Sequence, residues 1–226
     1  MSKYVKASPG PDYSVIYQDD QGKRFLFSGG TWAWRNHNPG NLRPGQISRK
    51  YGQIGISIDQ HKRLLAIFPD TEHGLAALQD LLITRKYQEK SIDEAIATYA
   101  PPNENNTQHY QEMVRKKLAL PGSVKLKNLN SSQFSKLLGI IQEIEGYHLG
   151  KIEIIQNVEA ISESQSGSIE GYFCPPLGWL SKEKAVNLAM QKKINATVCR
   201  PQKGLPYLRS STREKPFYQL PKRMAS

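Results

Sequence analysis

Trp34-Arg35-Asn36-His37-Asn38-Pro39-Gly40-Asn41-Leu42-Arg43 is the stretch on which the reading of this chain turns. Pro39 keeps Asn38 out of the α region, and Pro39-Gly40 sets a fixed φ beside a free one. The spacing predicts a turn-dense, non-helical loop from which three asparagines and two arginines project. Two roles fit such a loop. Its amides satisfy their own backbone in a tight surface turn, or they form a rigid rim of amide and guanidinium donors beside a polar ligand. Spacing alone leaves both open.

The flanking segments supply the scaffold. Upstream, Tyr13-Ser14-Val15-Ile16-Tyr17 and Arg24-Phe25-Leu26-Phe27 enclose Asp19-Asp20-Gln21-Gly22-Lys23, which predicts a β-hairpin over 13–28. Downstream, Ile54, Ile56 and Ile58 alternate within the Gly- and Ser-spaced segment 44–61, predicting a second short ribbon, and 64–68 reads as a buried strand. Helices take over after Pro69. Asp70 or Thr71 caps one over 71–88, with Leu75, Leu78, Leu81 and Leu82 on one face. Ser91 and Glu94 form a capping box for the next, which Pro101-Pro102 stops. Further helices are expected over 108–118 and 132–146, the latter ending at Gly146.

The run Gly29-Gly30-Thr31-Trp32-Ala33-Trp34 leading into Arg35-Asn36-His37-Asn38-Pro39-Gly40-Asn41-Leu42-Arg43 resembles the signature of a family of lysozyme-like domains. These occur in phage virion proteins and in antibacterial effectors of type VI secretion systems. The likeness continues through Leu65-Ala66-Ile67-Phe68-Pro69-Asp70-Thr71-Glu72-His73-Gly74. It resumes at Tyr99-Ala100-Pro101-Pro102-Asn103-Glu104-Asn105-Asn106-Thr107 with Tyr110, and ends at Ile144-Glu145-Gly146-Tyr147-His148-Leu149-Gly150. It covers roughly residues 15–150 and implies cleavage of the peptidoglycan glycan strand, by a muramidase or a lytic transglycosylase. The fold expected is α+β and mainly α. A lysozyme-like catalytic domain with a small β-hairpin region would occupy 1–155, a linker 156–168, and a small basic α/β appendage 169–226. In most lysozyme-like enzymes the helix bearing the acid precedes the Asn/Gly-rich hairpin. Here the hairpin region comes first and no glutamate precedes Glu72, so the resemblance implies a circularly permuted order. The helix ending at Glu145 would then pack back against the loop at 38–43.

Cleaving a glycosidic bond needs a carboxylic acid held protonated near neutral pH, and burial is the usual means. Glu145 fits, because it ends an apolar helix where the chain turns out at Gly146, and negative charge there opposes the helix dipole. Glu143 is the near alternative, about 200° around the helix. Glu72 matches a carboxylate of the family pattern, but its place in a first helical turn also reads as plain helix-start stabilisation. Asp59 and Asp70 are available as a second carboxylate. Arg35, Asn38, Asn41 and Arg43 are candidate substrate contacts on one wall, with Tyr99 and Tyr110 on the other. Tyr99 also completes the stripe of Ile92 and Ile96, which makes it equally a core residue. Nothing in the sequence calls for a metal or a cofactor.

Charge and cysteines bound the alternatives. Of the 31 Lys and Arg residues, 11 fall in 168–226 against 3 of the 20 acidic ones, so most of the net +11 lies in the tail. A polyanionic partner is expected, and cell-wall polymers fit. Lys192, Lys193, Arg200, Lys203, Arg209, Arg213 and Lys215 alternate with Tyr207 and Tyr218, but no nucleic-acid motif accompanies them, so nucleic acid is the weaker partner. No apolar run reaches the ~18 residues of a membrane span, and the N-terminus lacks the apolar core of a signal peptide. Delivery to the periplasm of target bacteria by a type VI spike or adaptor, or carriage on a virion, is the implied route, with a cognate immunity protein in the producer. Cys174 and Cys199 allow a disulfide or two separate thiols. A cysteine peptidase or amidase is a rival reading, although neither cysteine opens a helix. A non-catalytic glycan-binding virion or spike component is the other.

Overall fold

The computed structural model describes residues 3–211 and 216–225. The chain opens with β1 (Tyr4–Pro9), β2 (Val15–Asp19) and β3 (Arg24–Ser28), all antiparallel neighbours. Asp19 closes the β2–β3 turn, its carboxylate accepting from the amides of Gln21 and Lys23 at 3.0 and 2.8 Å. Thr31 then caps a single helical turn, α1 (Trp32–Arg35). Trp34 and Arg35 are therefore helical, contrary to the expected loop. Proline restricts only the residue before it, so Pro39 leaves the backbone at 32–35 free to coil.

A short helix, α2 (Gln46–Lys50), occupies the first half of the segment read as ribbon. β4 (Gly55–Ile58) and β5 (Leu64–Ile67) follow as an antiparallel pair. The helix expected over 71–88 is two helices, α3 (Thr71–Ile83) and α4 (Arg85–Gln88), broken at an extended Thr84. The Thr84 hydroxyl donates to the Leu81 carbonyl at 2.7 Å, a local bond that competes with the helical ladder. Next come α5 (Ile92–Tyr99), α6 (Thr107–Leu118) and α7 (Ser131–Glu145), each opened by a side-chain cap from Ser91, Asn106 and Asn130. Leu78, Leu82, Ile92, Ile96, Val114 and Ile141 form the centre of their shared core.

After α7 the chain returns to the first sheet as β6 (Lys151–Ile155), paired with β3 in the order β1-β2-β3-β6. The remainder consists of β7 (Ala160–Glu163), β8 (Ile169–Cys174), β9 (Gly178–Ser181), α8 (Lys182–Met190), β10 (Ala196–Cys199), β11 (Tyr207–Ser210) and β12 (Lys222–Met224). β12-β7-β8-β9 make a second four-stranded sheet and β10-β11 a ribbon, closing a separate core around Val158, Ile161, Tyr172, Leu180 and Leu208. Arg24 Nη1 donates to Asn195 Oδ1 at 2.5 Å, tying this part to the first sheet.

Two expectations need correction. The fold is α+β but not mainly α: the described residues hold twelve strands in four sheets and eight α-helices, 36% helix and 26% strand. Five strands went unread: β1, β6, β7, β9 and β12. β1 pairs with the adjacent β2 but has no clean alternation, β6 takes its partner from distant sequence, and β7 and β12 pair in parallel across some sixty residues. Residues 156–168 are also more than a linker, because β7 lies within them with Ile161 and Ser162 buried. Their Ser- and Glu-rich composition hides a strand whose polar residues are held by the sheet. Both cysteines are free thiols, Cys174 buried and Cys199 partly so. No helix among the described residues is long and apolar enough to cross a membrane. Arg213 and Lys215 of the basic tail lie outside the described residues.

Candidate active site

The loop at 36–43 is fastened from several sides, which explains its composition. Asn38 is fully buried; its Nδ2 donates to the carbonyls of Leu42 and Ala66, and its Oδ1 accepts from the Leu42 amide, each at 2.9 Å. The Phe68 amide donates to the Asn36 carbonyl at 2.9 Å. The start of α3 lies so close that a Cβ on Gly74 would sit 2.1 Å from the His37 carbonyl oxygen. The Tyr99 hydroxyl donates to the Gly40 carbonyl. Arg35 points away from solvent. Its Nη1 donates to the carbonyls of Gly29 and Gly30 at 2.6 and 2.8 Å, and its guanidinium lies 4.3 Å from the centre of the Trp32 ring. Arg35 and Asn38, expected on the substrate, are thus taken up by the backbone.

The segment after α7 seats itself on the same framework. The Thr31 amide donates to the His148 carbonyl at 3.1 Å, and the His148 amide donates to Thr31 Oγ1 at 3.2 Å. The hydroxyls of Thr71 and Tyr147 bond at 2.7 Å. These contacts set the end of α7 beside the loop. Asn41 Nδ2 donates to Glu145 Oε2 at 2.9 Å, and the Tyr110 hydroxyl donates to Oε1 at 3.1 Å. The Tyr99 ring meets Tyr110 edge-on, 6.3 Å between centroids. Three of the four motifs of the sequence signature therefore meet at one carboxyl, and the other, through Thr71, bonds to Tyr147 two residues beyond it.

Burial pushes the Glu145 carboxyl above the ordinary glutamate range. The bonds from Asn41 and Tyr110 and the charge of Arg63 oppose that shift without cancelling it. The C-terminal end of α7 acts in the same direction as burial, since its exposed carbonyls disfavour a negative charge. Glu143 and Glu72 have no comparable setting. Glu143 is exposed and pairs with Lys117 at 2.8 Å, and Glu72 stands in solvent in the first turn of α3. Neither lines the cavity that Glu145 faces.

That cavity, about 560 Å³, is an open cleft whose lining includes Trp32, Asn41, Tyr99, Lys86, Asn105 and Glu145. Charged side chains alternate along it. Arg43 Nη2 donates to both oxygens of Glu104 at 2.7 and 2.5 Å, Arg63 Nη1 lies 3.7 Å from Glu104, and Arg63 Nε donates to Asp59 at 2.7 Å. Burial raises the Asp59 carboxyl, but bonds from Arg63 and the His61 amide outweigh it and hold Asp59 below the usual range. Asp59 is thereby held as a carboxylate, and Glu104 is taken up by Arg43. Among the described residues, Glu145 is the one carboxyl in the lining without an arginine or lysine in ion-pair contact.

Among the residues expected on the walls, Asn41 and Tyr110 hold the acid, Tyr99 braces Gly40, and Arg43 stands at the exposed rim. Sequence reasoning missed Trp32, Arg63 and Glu104 as lining residues. Arg63 had a signal: it follows Asp59 by four residues across the β4–β5 turn, a spacing that lets the pair close the turn. Comparison of the chain with protein-family models, with curated proteins and with solved structures finds no match, so the site is read from its own chemistry.

Removing either bond to the ionised form should raise Glu145 further. Asn41→Ala and Tyr110→Phe are each expected to move its titration to higher pH, read from the carboxyl carbon by ¹³C NMR. A downward move in both would mean that these donors do not act on the carboxylate.

Proposed function

We propose that this chain cleaves the peptidoglycan glycan strand with Glu145 as general acid. The observation that carries the reading is the setting of that carboxyl: partly buried, raised above its ordinary range, and facing an open cleft in which the other carboxylates pair with arginines. Such a group holds its proton until a glycosidic oxygen arrives, then passes it to the leaving group as the C–O bond breaks. Lys86 on the lining, and Arg43 at the rim where its pair with Glu104 stands open to solvent, suit a substrate that carries carboxylates, as the lactyl and peptide-stem groups of peptidoglycan do. The resemblance of the Gly29–Arg43 signature to lysozyme-like domains supports the same substrate.

Asp59 and Glu104 are already engaged, so the lining offers no free second carboxylate to activate water. That favours the transglycosylase form of the reaction. The Glu145 carboxylate left after proton donation would accept the proton of the muramoyl 6-hydroxyl, whose oxygen closes onto C1 and yields an anhydro end. On this reading the enzyme acts in the periplasm of target bacteria, delivered by a secretion spike or carried on a virion, and an effector's producer needs a cognate inhibitor there. Digestion of purified peptidoglycan, with products read by mass spectrometry, tests it. Disaccharide-peptides with anhydro ends are expected, and reducing ends would make the enzyme a hydrolase. Release of stem peptides alone would overturn the reading and bring back an amidase.

A further inference from the structure

Trp32 lines two cavities. Beyond the cleft of Glu145 it also borders a second space of about 440 Å³, with Asp12, Tyr13, Ser57 and Ile58 among its other lining residues. The two spaces are continuous in sequence as well, because Ser57-Ile58 lead directly into Asp59 of the first.

Four features mark the second space as built to receive something. Tyr13 is 53% exposed and meets Trp32 edge-on at 5.7 Å, presenting an aromatic corner to solvent. Arg35 fixes Trp32, its guanidinium 4.3 Å from the ring centre. Asp12 and Tyr13 both sit in the left-handed region, with φ of 49° and 58°, a conformation side-chain-bearing residues rarely adopt without a reason. The Ser57 hydroxyl is the independent sign. The residue is 2% exposed, lines the space, and its Oγ is buried with no hydrogen-bond partner.

The charge pattern selects the ligand class. No lysine or arginine lines this space among the described residues, and Asp12 does, so anionic groups are disfavoured there. The cleft next to it carries Arg43, Arg63 and Lys86. Aromatic faces beside an acceptor carboxylate and an unpaired hydroxyl suit a neutral ring with an apolar face and hydroxyl edges. A pyranose is such a ring.

We infer that the space at Tyr13 is a further saccharide compartment of the same cleft. It takes a neutral pyranose of the glycan strand beyond those at Glu145, stacked on Tyr13 and hydrogen-bonded through Asp12 and Ser57. This rests on the glycan-cleaving reading, and it makes affinity depend on strand length.

Calorimetric titration with chitin oligosaccharides of two and six sugars tests it, using a Glu145→Gln background that does not turn the probe over. The six-sugar probe is expected to bind more tightly than the two-sugar one. Adding Tyr13→Ala should weaken the longer probe roughly tenfold and remove most of the length dependence. Tyr13→Phe, which keeps the ring, should restore it. Ser57→Ala should weaken the longer probe as well. Unaltered length dependence in Tyr13→Ala overturns the compartment, as does failure of the six-sugar probe to bind. The two readings fail separately. If wild type leaves peptidoglycan uncut while Tyr13 still governs binding of the longer probe, only the catalytic assignment falls. If cleavage holds and Tyr13 is indifferent, only the compartment falls.

Discussion

Glu145→Gln is expected to lower peptidoglycan cleavage by about 10²–10⁴-fold, the usual contribution of a general acid, while leaving glycan binding intact. Glutamine keeps the shape and accepts from the Tyr110 hydroxyl, but it has no proton to give. Its new amide donor also finds a partner. Asn41 Oδ1 is buried without a hydrogen bond, and a flip of the Asn41 amide turns that oxygen toward the new donor. The contact between the two side chains therefore survives, with Asn41 Nδ2 replacing Oδ1 as the buried atom without a partner, and only the chemistry is removed. Glu143→Gln and Glu72→Gln change exposed carboxylates outside the cleft and should retain near-normal turnover. Turnover is read from soluble fragments, and binding from co-sedimentation with intact sacculi. A loss below tenfold in Glu145→Gln would remove that residue from the acid role.

The same substitution should alter stability in a pH-dependent way. Glu145 has a folded-state pKa above its unfolded value, so its contribution to stability is full below the unfolded pKa and is lost as pH rises through the folded one. Glutamine stays neutral throughout and loses nothing over that window. The melting temperature of the variant should thus exceed that of wild type increasingly as pH rises through the Glu145 pKa. A parallel pair of melting curves across pH 4–8 would mean that the carboxyl is not raised by burial. Activity and stability pull against each other at this position.

How much of this was legible depended on whether the signal was local. Ser91 with Glu94, and Asn130 with Gln133, form reciprocal caps within a few residues, and the helices they open carry their core residues at helical spacing. β6 shows the opposite case. Its Ile152 and Ile154 are exposed, and what makes it a strand is pairing with Phe25 and Phe27, more than a hundred residues earlier. The site divides along the same line. A helix phase separates Glu143 from Glu145, but only the packing of α7 says which of them turns inward. The arginine and asparagines of the signature were the hardest to assign. A donor that holds a backbone carbonyl has the same chemistry as one that holds a sugar, so Arg35 and Asn38 read as ligand contacts until their partners are seen. Tyr13 carried no signal at all, because its place beside Trp32 follows from the two turns that bring them together.

Asn38→Ala is expected to cost about 3 kcal/mol of folding stability, a large share of the roughly 5–15 kcal/mol a domain has. Asn38 serves three backbone groups at once in a fully buried position. Alanine leaves the buried Leu42 amide without its partner, at about 1–3 kcal/mol, and removes one bond each from the Leu42 and Ala66 carbonyls. The Leu42 carbonyl keeps the Ala66 amide, donating at 2.9 Å, which limits the loss. Arg43→Ala in the same loop should cost no more than about 1 kcal/mol, because its pair with Glu104 stands 60% exposed on the arginine side. Urea unfolding separates the two: a lower midpoint at unchanged slope for Asn38→Ala, and almost none for Arg43→Ala. If the costs came out reversed, Asn38 would not be holding the loop, and its amide would be free for a ligand. The expected order has a functional consequence. Asn38 fixes the backbone that carries Asn41, and Asn41 bonds the Glu145 carboxylate, so in the folded fraction of Asn38→Ala the Glu145 titration should move to higher pH, as in Asn41→Ala, read from the carboxyl carbon by ¹³C NMR.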